Sequence, residues 1–252
     1  MKDEPRTHPF RDSNQDIAAA HRIPDTPQTR APAYRLAFAD PDFMTREELR
    51  PVRLQLELLK PQLVMDERGI ESTIVLFGGA RIPAPENKAA ARTPMLADLT
   101  RYYDEARRFA RMMTERSMES YGKQNVIVTG GGPGVMEAGN RGASEAGGQS
   151  IGLNIVLPHE QAPNQYVTPD LSFNFHYFAI RKMHFLMRAA AVCIFPGGFV
   201  QQHVLTGTRR HDGVAVRLPC AIICQLEEGR IKRLDEYFDS AHVATFRKYA
   251  NS

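Results

Sequence analysis

Two strand-like runs of this chain each empty into a glycine turn. Open α/β sheets hold phosphate groups at such strand ends. Val126–Thr129 leads into Gly130-Gly131-Gly132-Pro133-Gly134, followed by Val135-Met136-Glu137. Ala191–Phe195 leads into Pro196-Gly197-Gly198-Phe199. A third turn, Gly78-Gly79-Ala80-Arg81, ends the apolar run Thr73–Phe77. Glycine lets backbone approach an anion closely, and N–H groups at a helix start stabilise a phosphate dianion. Arg181-Lys182 follows the aromatic pair Tyr177-Phe178. A guanidinium there can clamp a phosphate or a ribose hydroxyl through two hydrogen bonds.

The bland readings are weighed beside these. Gly130–Gly134 also reads as a simple strand–helix turn, and ligand binding is favoured because the turn opens a helix. It is no dinucleotide fingerprint, since Ser150–Val156 is followed by Leu157-Pro158-His159-Glu160 and no acidic residue ends the strand. Glu137 balances a helix N-terminus. Lys182 lacks any motif for Schiff-base chemistry. His176, His184 and His203 read as structural or surface residues, Tyr177 and Phe178 as core, and Met183, Leu186 and Met187 as core packing.

The elements that must position these groups follow from periodicity. Helices are expected from Leu96 to about Met118, from Gly134 to about Ala146 and over Tyr177–Arg188. Strands are expected over Thr73–Phe77, Val126–Thr129, Ser150–Val156, Leu171–Phe175 and Ala191–Phe195. Continuous apolar strands alternating with helices predict an α/β fold: a Rossmann-like parallel sheet with helices on both faces. Residues 1–33 read as a disordered lead-in and 34–70 as a helical extension. In that extension Thr45-x-x-Glu48 is a possible capping box, and Pro51 and Pro61 are expected to break the leucine-rich run. The nucleotide-binding domain spans 71–204, and 205–252 is an atypical tail. Within it Val214–Leu226 and Arg230–Tyr237 read as an antiparallel β-hairpin, with Pro219 limiting the first run to an edge or a bend.

Phe77-Gly78-Gly79-Ala80-Arg81, Thr129 through Glu137, Phe178-x-x-Arg181-Lys182 and Pro196-Gly197-Gly198 occur in this order. Together they resemble the Lonely Guy family, long labelled lysine decarboxylases, from about Tyr34 to Phe199. The resemblance implies a dimeric Rossmann-like protein without a cofactor. It implies hydrolysis of the N-glycosidic bond of a nucleoside 5′-monophosphate, such as AMP or a cytokinin riboside monophosphate, to free base and ribose 5-phosphate. It also implies that Arg181 is the catalytic arginine. Gly78, Gly79, Gly130, Gly131, Gly132, Gly134, Met136, Lys182, Pro196, Gly197 and Gly198 would then hold the nucleotide. In the family the last turn continues Gly-Thr-x-x-Glu, with a phosphate-binding threonine and a catalytic glutamate. Here those positions hold Val200, Gln201 and Val204, and no carboxylate occurs between Phe199 and Asp212. Hydrolysis is therefore expected to be impaired. The alternative is a catalytically inactive nucleotide-binding or dimerisation module. The tail from about 205 to 245 resembles the closing strands of SnoaL-like proteins, and Leu218–Gln225 is the segment that would fill the missing strand's slot.

Composition sets the remaining bounds. The chain has 252 residues and a formal net charge of +3, which does not mark a nucleic-acid binder. No run of about 18 apolar residues predicts a membrane span. No apolar signal-peptide core follows Met1, and three scattered cysteines fit a reducing, cytoplasmic setting. Cys193, Cys220 and Cys224 lie in apolar runs without further ligands at metal spacing, so no metal is expected.

Overall fold

The computed structural model describes residues 12–157, 162–195, 198–208, 213, 215–227 and 230–238. The chain divides into two compact units, residues 1–56 and 57–252.

The first unit carries short helices: α1 (Ser13–Ala20), α2 (Pro27–Arg30), α3 (Pro41–Met44) and the start of α4 (Arg50–Glu67). Over 12–33, read from sequence as an aperiodic lead-in, caps start the helices. Asp12 accepts from Asn14 N–H, and Thr26 forms a capping box with Thr29. None of the described apolar side chains up to Leu56 is buried. The expected Thr45–Glu48 capping box does not form. Thr45 ends α3, donating its hydroxyl to Pro41 O and Asp42 O, while Glu48 pairs with Arg46.

The prolines do not break α4 either. Pro51 lies in its first turn, where a missing N–H costs nothing. Pro61 lies inside the helix and is buried. Its ring removes the donor that would serve Glu57 O four residues back. His184 Nε2 lies 3.2 Å from that carbonyl and takes the vacant place.

The second unit is built on one eight-stranded sheet. Its strands are β1 (Thr73–Gly78), β2 (Val126–Thr129), β3 (Ser150–Ile155), β4 (Ser172–Phe175), β5 (Ala189–Phe195), β6 (Gly198–Thr208), β7 (Ala215–Glu227) and β8 (Arg230–Phe238). The order is β4-β3-β2-β1-β5-β6-β7-β8, parallel from β4 to β5 and antiparallel from there on. Helices α5 (Pro94–Asp98) and α6 (Thr100–Met118) lead into β2, α7 (Val135–Glu145) links β2 to β3, and α8 (Phe178–Met187) links β4 to β5.

Alternation along β1 separates two cores. Ile74 and Leu76 pack with Tyr103, Ala106 and Ala110 of α6 and Val135 and Ala138 of α7. Val75 packs on the opposite face with Met65 of α4 and Phe185 of α8. This is the Rossmann-like arrangement expected from the sequence, with helices on both faces. The strand order turns between β1 and β5, so the ligand crevice of such a sheet lies at the C-terminal ends of those strands.

Beyond β5 the sequence reading needs correction. Residues 198–208, given no element from sequence, form β6, which runs antiparallel to β5 with Ile194 opposite Gly198. That strand, not Leu218–Gln225, occupies the slot beside β5. Leu218–Gln225 lies one strand further out in β7, and the expected hairpin is β7–β8. Pro219 pairs with Val204 on one side, while the pairing with β8 starts only at Cys220. The proline thus sits where its missing N–H costs no ladder bond on the β8 side.

Candidate functional site

Three backbone segments meet at the crevice. β1 ends at Gly78, opposite Phe195 at the end of β5. A Cβ on Gly78 would lie 2.8 Å from Phe195 O and closer still to the Val135 side chain. Gly134, at φ +71°, turns the chain from the glycine run into α7. A Cβ there would lie 2.8 Å from Ala80 C and O and closer still to Gly79 O. Val135 N–H donates to Gly79 O at 3.3 Å. The turns after β1 and β2 are therefore in backbone contact, which only glycine at 134 permits.

A buried polar network holds the second turn. Gly131 N–H donates to Thr129 Oγ1 at 3.0 Å, and Thr129 Oγ1 bonds Asn140 Oδ1 at 2.7 Å. Asn140 Nδ2 donates to Ser150 Oγ at 3.0 Å. Asn164 Nδ2 lies 3.0 Å from each of Gly131 O, Gly132 O and Asn140 Oδ1. Thr129 and Asn140 are fully buried. Buried polar groups are affordable only when paired, so this network fixes one turn geometry.

At the start of α7, the N–H groups of Met136 and Glu137 have no acceptor among the described residues. The Met136 thioether lies along the turn: a Cβ on Gly130 would meet its Sδ at 2.7 Å, and one on Gly132 its Cε at 2.9 Å. Glu137 accepts the Tyr103 hydroxyl at 2.8 Å, and burial holds that phenol in its neutral form by raising its pKa.

Arg181 reaches the same turn from α8. Its Nη2 would lie 2.7 Å from a Cβ on Gly130. Nε donates to Leu153 O at 2.6 Å, and the guanidinium stacks on Phe185 with 5.2 Å to the ring centroid. No carboxylate pairs with it among the described residues. Burial lowers its pKa, the direction expected of a desolvated cation without a counter-ion.

Glu57 positions the helix that carries Arg181. Its carboxylate accepts His176 N–H at 2.7 Å and Tyr177 N–H at 3.0 Å, capping α8 from another helix. Its carbonyl binds His184 one turn beyond Arg181. His184 is buried, its Nδ1 has no partner among the described residues, and desolvation lowers its pKa.

The structure therefore brings together Gly78, Gly79, Gly130, Gly131, Gly132, Gly134, Met136 and Arg181. Lys182 lies on the exposed face of α8 with Nζ 4.6 Å from the Phe178 ring centroid. Pro196 and Gly197 lie outside the described residues, and Gly198 opens β6. Phe178, Met183, Leu186 and Met187, read as core, are instead exposed, because α8 packs through His184 and Phe185. Sequence reasoning missed Glu57, Thr129, Asn140 and Asn164. Asn140 carried a signal, being a polar residue on the same face of α7 as Gly139 and Ala143.

A model of the family described as "Possible lysine decarboxylase" matches residues 136–200. Among solved structures, the X-ray structure of TM1055, a structural-genomics target, is 25% identical, with a TM-score of 0.31. The match covers 49% of this chain and 59% of that one, so the chain spans well under two thirds of its length. No curated protein matches. The family match covers Met136, Arg181, Lys182 and Pro196 through Gly198, and it begins after the Gly78-Gly79 and Gly130–Gly134 turns. Among the described residues no helix is long and apolar enough to cross a membrane, and no group of three metal-binding side chains occurs.

Proposed function

We propose that the crevice binds a nucleoside 5′-monophosphate and that its chemistry, where retained, is hydrolysis of the N-glycosidic bond. The observation that carries this reading is Arg181. A half-buried guanidinium with no carboxylate among the described residues, set against a glycine turn, favours an anion from outside the chain. The unpaired N–H groups at the start of α7 supply the neutral half of a phosphate cradle. Breaking the bond to the base develops positive charge at C1′, which a carboxylate stabilises in enzymes of glycoside chemistry. Glu137 is engaged by Tyr103, and the family's glutamate position is Val204. Turnover is accordingly expected about a thousandfold or more below that of an enzyme keeping the glutamate.

A specific observation favours the second reading, a binding module without turnover. Residues 200–204 are strand, with Val204 in register with Pro219. Measurement of adenine release from AMP, alongside thermal stabilisation by AMP, separates the readings. Stabilisation and slow release, both lost in Arg181→Ala, support the hydrolase. Stabilisation without release leaves the binding module. Absence of both sinks the nucleotide site.

The same reading includes a homodimer. Support comes from Leu59 and Leu63 on α4 and Phe178, Met183, Leu186 and Met187 on α8, which leave a large apolar surface exposed.

A further inference from the structure

Asn154 stands at the end of β3, one residue beyond the carbonyl that holds Arg181. Its Nδ2 donates to Ser172 Oγ and to Phe173 O, both at 3.2 Å. Those two acceptors on β4 fix the amide plane, because neither the Phe173 carbonyl nor a reversed amide could supply a donor to a carbonyl oxygen. Oδ1 is thereby turned toward the glycine turn. A Cβ on Gly131, at φ +74°, would lie 2.8 Å from Asn154 Cγ, 2.9 Å from Nδ2 and closer still to Oδ1. No donor reaches Oδ1 among the described residues.

Two successive residues of the turn thus face opposite chemistries. Gly130 faces the Arg181 guanidinium, which only donates, and Gly131 faces the Asn154 amide, whose Nδ2 is engaged by β4 and whose oxygen only accepts. A phosphate satisfies the first and not the second. A neutral hydroxyl, able to donate to one partner while its neighbour accepts from the other, satisfies both.

We propose that Asn154 is a specificity-determining residue whose Oδ1 accepts a hydrogen bond from a ribose hydroxyl of the bound nucleotide. The inference rests on the nucleotide reading above and adds a preference for ribose over deoxyribose. A site that offers a fixed acceptor to a hydroxyl disfavours the ligand lacking it, because the acceptor then loses its partner.

Calorimetric titration of AMP, 2′-deoxy-AMP and 3′-deoxy-AMP into wild type and Asn154→Ala tests this. Wild type is expected to bind one of the two deoxynucleotides about three- to tenfold more weakly than AMP, the range of one hydrogen bond. In Asn154→Ala that ratio falls to about one. The ratio cancels any general loss of folded protein, which scales all three ligands alike. Should Asn154→Ala not fold, Ser172→Ala removes one of the two acceptors that orient the amide, and a smaller fall in the same ratio is expected. AMP binding with a ratio that neither variant changes overturns the Asn154 assignment and leaves the nucleotide site standing. Failure of wild type to bind any of the three overturns both.

Discussion

Replacing Gly134 by alanine tests the contact between the two site turns. The reference is Gly147→Ala. Both glycines have nearly the same φ, +71° and +75°. At Gly147 a Cβ meets nothing within 4 Å, so alanine there costs only the left-handed backbone, about 1–2 kcal/mol. At Gly134 ψ is −132°, outside the left-handed helical region, so a Cβ is strained at least as much, and it also falls 2.8 Å from Ala80 C and O, with Gly79 O closer still. These are backbone atoms of the β1 turn and cannot swing aside as a side chain would. Overpacking of this kind adds about 1–3 kcal/mol. The total for Gly134→Ala is then about 2–5 kcal/mol, a loss in melting temperature on the order of 10 °C for a unit of this size. Urea denaturation of both variants provides the measurement. Because the β1 turn must retreat, Gly134→Ala should also lose stabilisation by AMP, while Gly147→Ala retains it. Equal destabilisation by the two substitutions would refute the argument, since it would leave no cost for the approach of Gly79 and Ala80.

Three further outcomes are expected. Thr129→Val removes the acceptor of Gly131 N–H and the partner of Asn140 Oδ1 while keeping the shape, so about 2–3 kcal/mol of stability should be lost in denaturant melts. His184, whose pKa burial pushes below its unfolded value of about 6.5, binds fewer protons folded than unfolded. Its contribution is complete above that value and is lost as pH falls toward the folded pKa. The stability of wild type between pH 7 and pH 5 should therefore fall more steeply than that of His184→Gln, and identical slopes would argue against it. Leu186, 62% exposed on α8, should be tolerant of charge in a monomer. Light scattering of Leu186→Glu is expected to show dissociation of a wild-type dimer, and a monomeric wild type would remove the dimer proposal.

Much of the sheet was legible because its strands obey one strong rule. Buried parallel strands are continuous apolar runs, and β2 lies at Val126–Thr129 as read. The glycine turns were legible for the same reason, since close backbone approach leaves few residue choices. What escaped depends on partners distant in the chain. Pro61 looked like a helix breaker because its lost hydrogen bond was visible, whereas the compensating ring of His184 lies 123 residues later. Glu57 looked like an ordinary helix carboxylate because the N–H groups it caps belong to His176 and Tyr177. β6 escaped because Val200-Gln201-Gln202-His203-Val204 holds three polar residues in a row, and only pairing with both β5 and β7 makes it a central strand.

Under the proposed function, binding and bond cleavage would rest on different strands. The proposed anion-binding half comes from the ends of β1, β2 and β3 together with α8, and each piece is tied to another by backbone contact or a hydrogen bond. None of those ties runs through β6, β7 or β8. The segment that the resemblance aligns with a threonine and a glutamate, residues 200–204, lies in the antiparallel strand β6, whose pairing with β5 ends at Gln201. A carboxylate restored at 204 would be six residues into β6, held opposite Pro219 rather than at the strand ends where Arg181 lies. Under the proposed function, Val204→Glu therefore should not raise adenine release, because the defect lies in the path of the backbone as well as in the identity of one side chain.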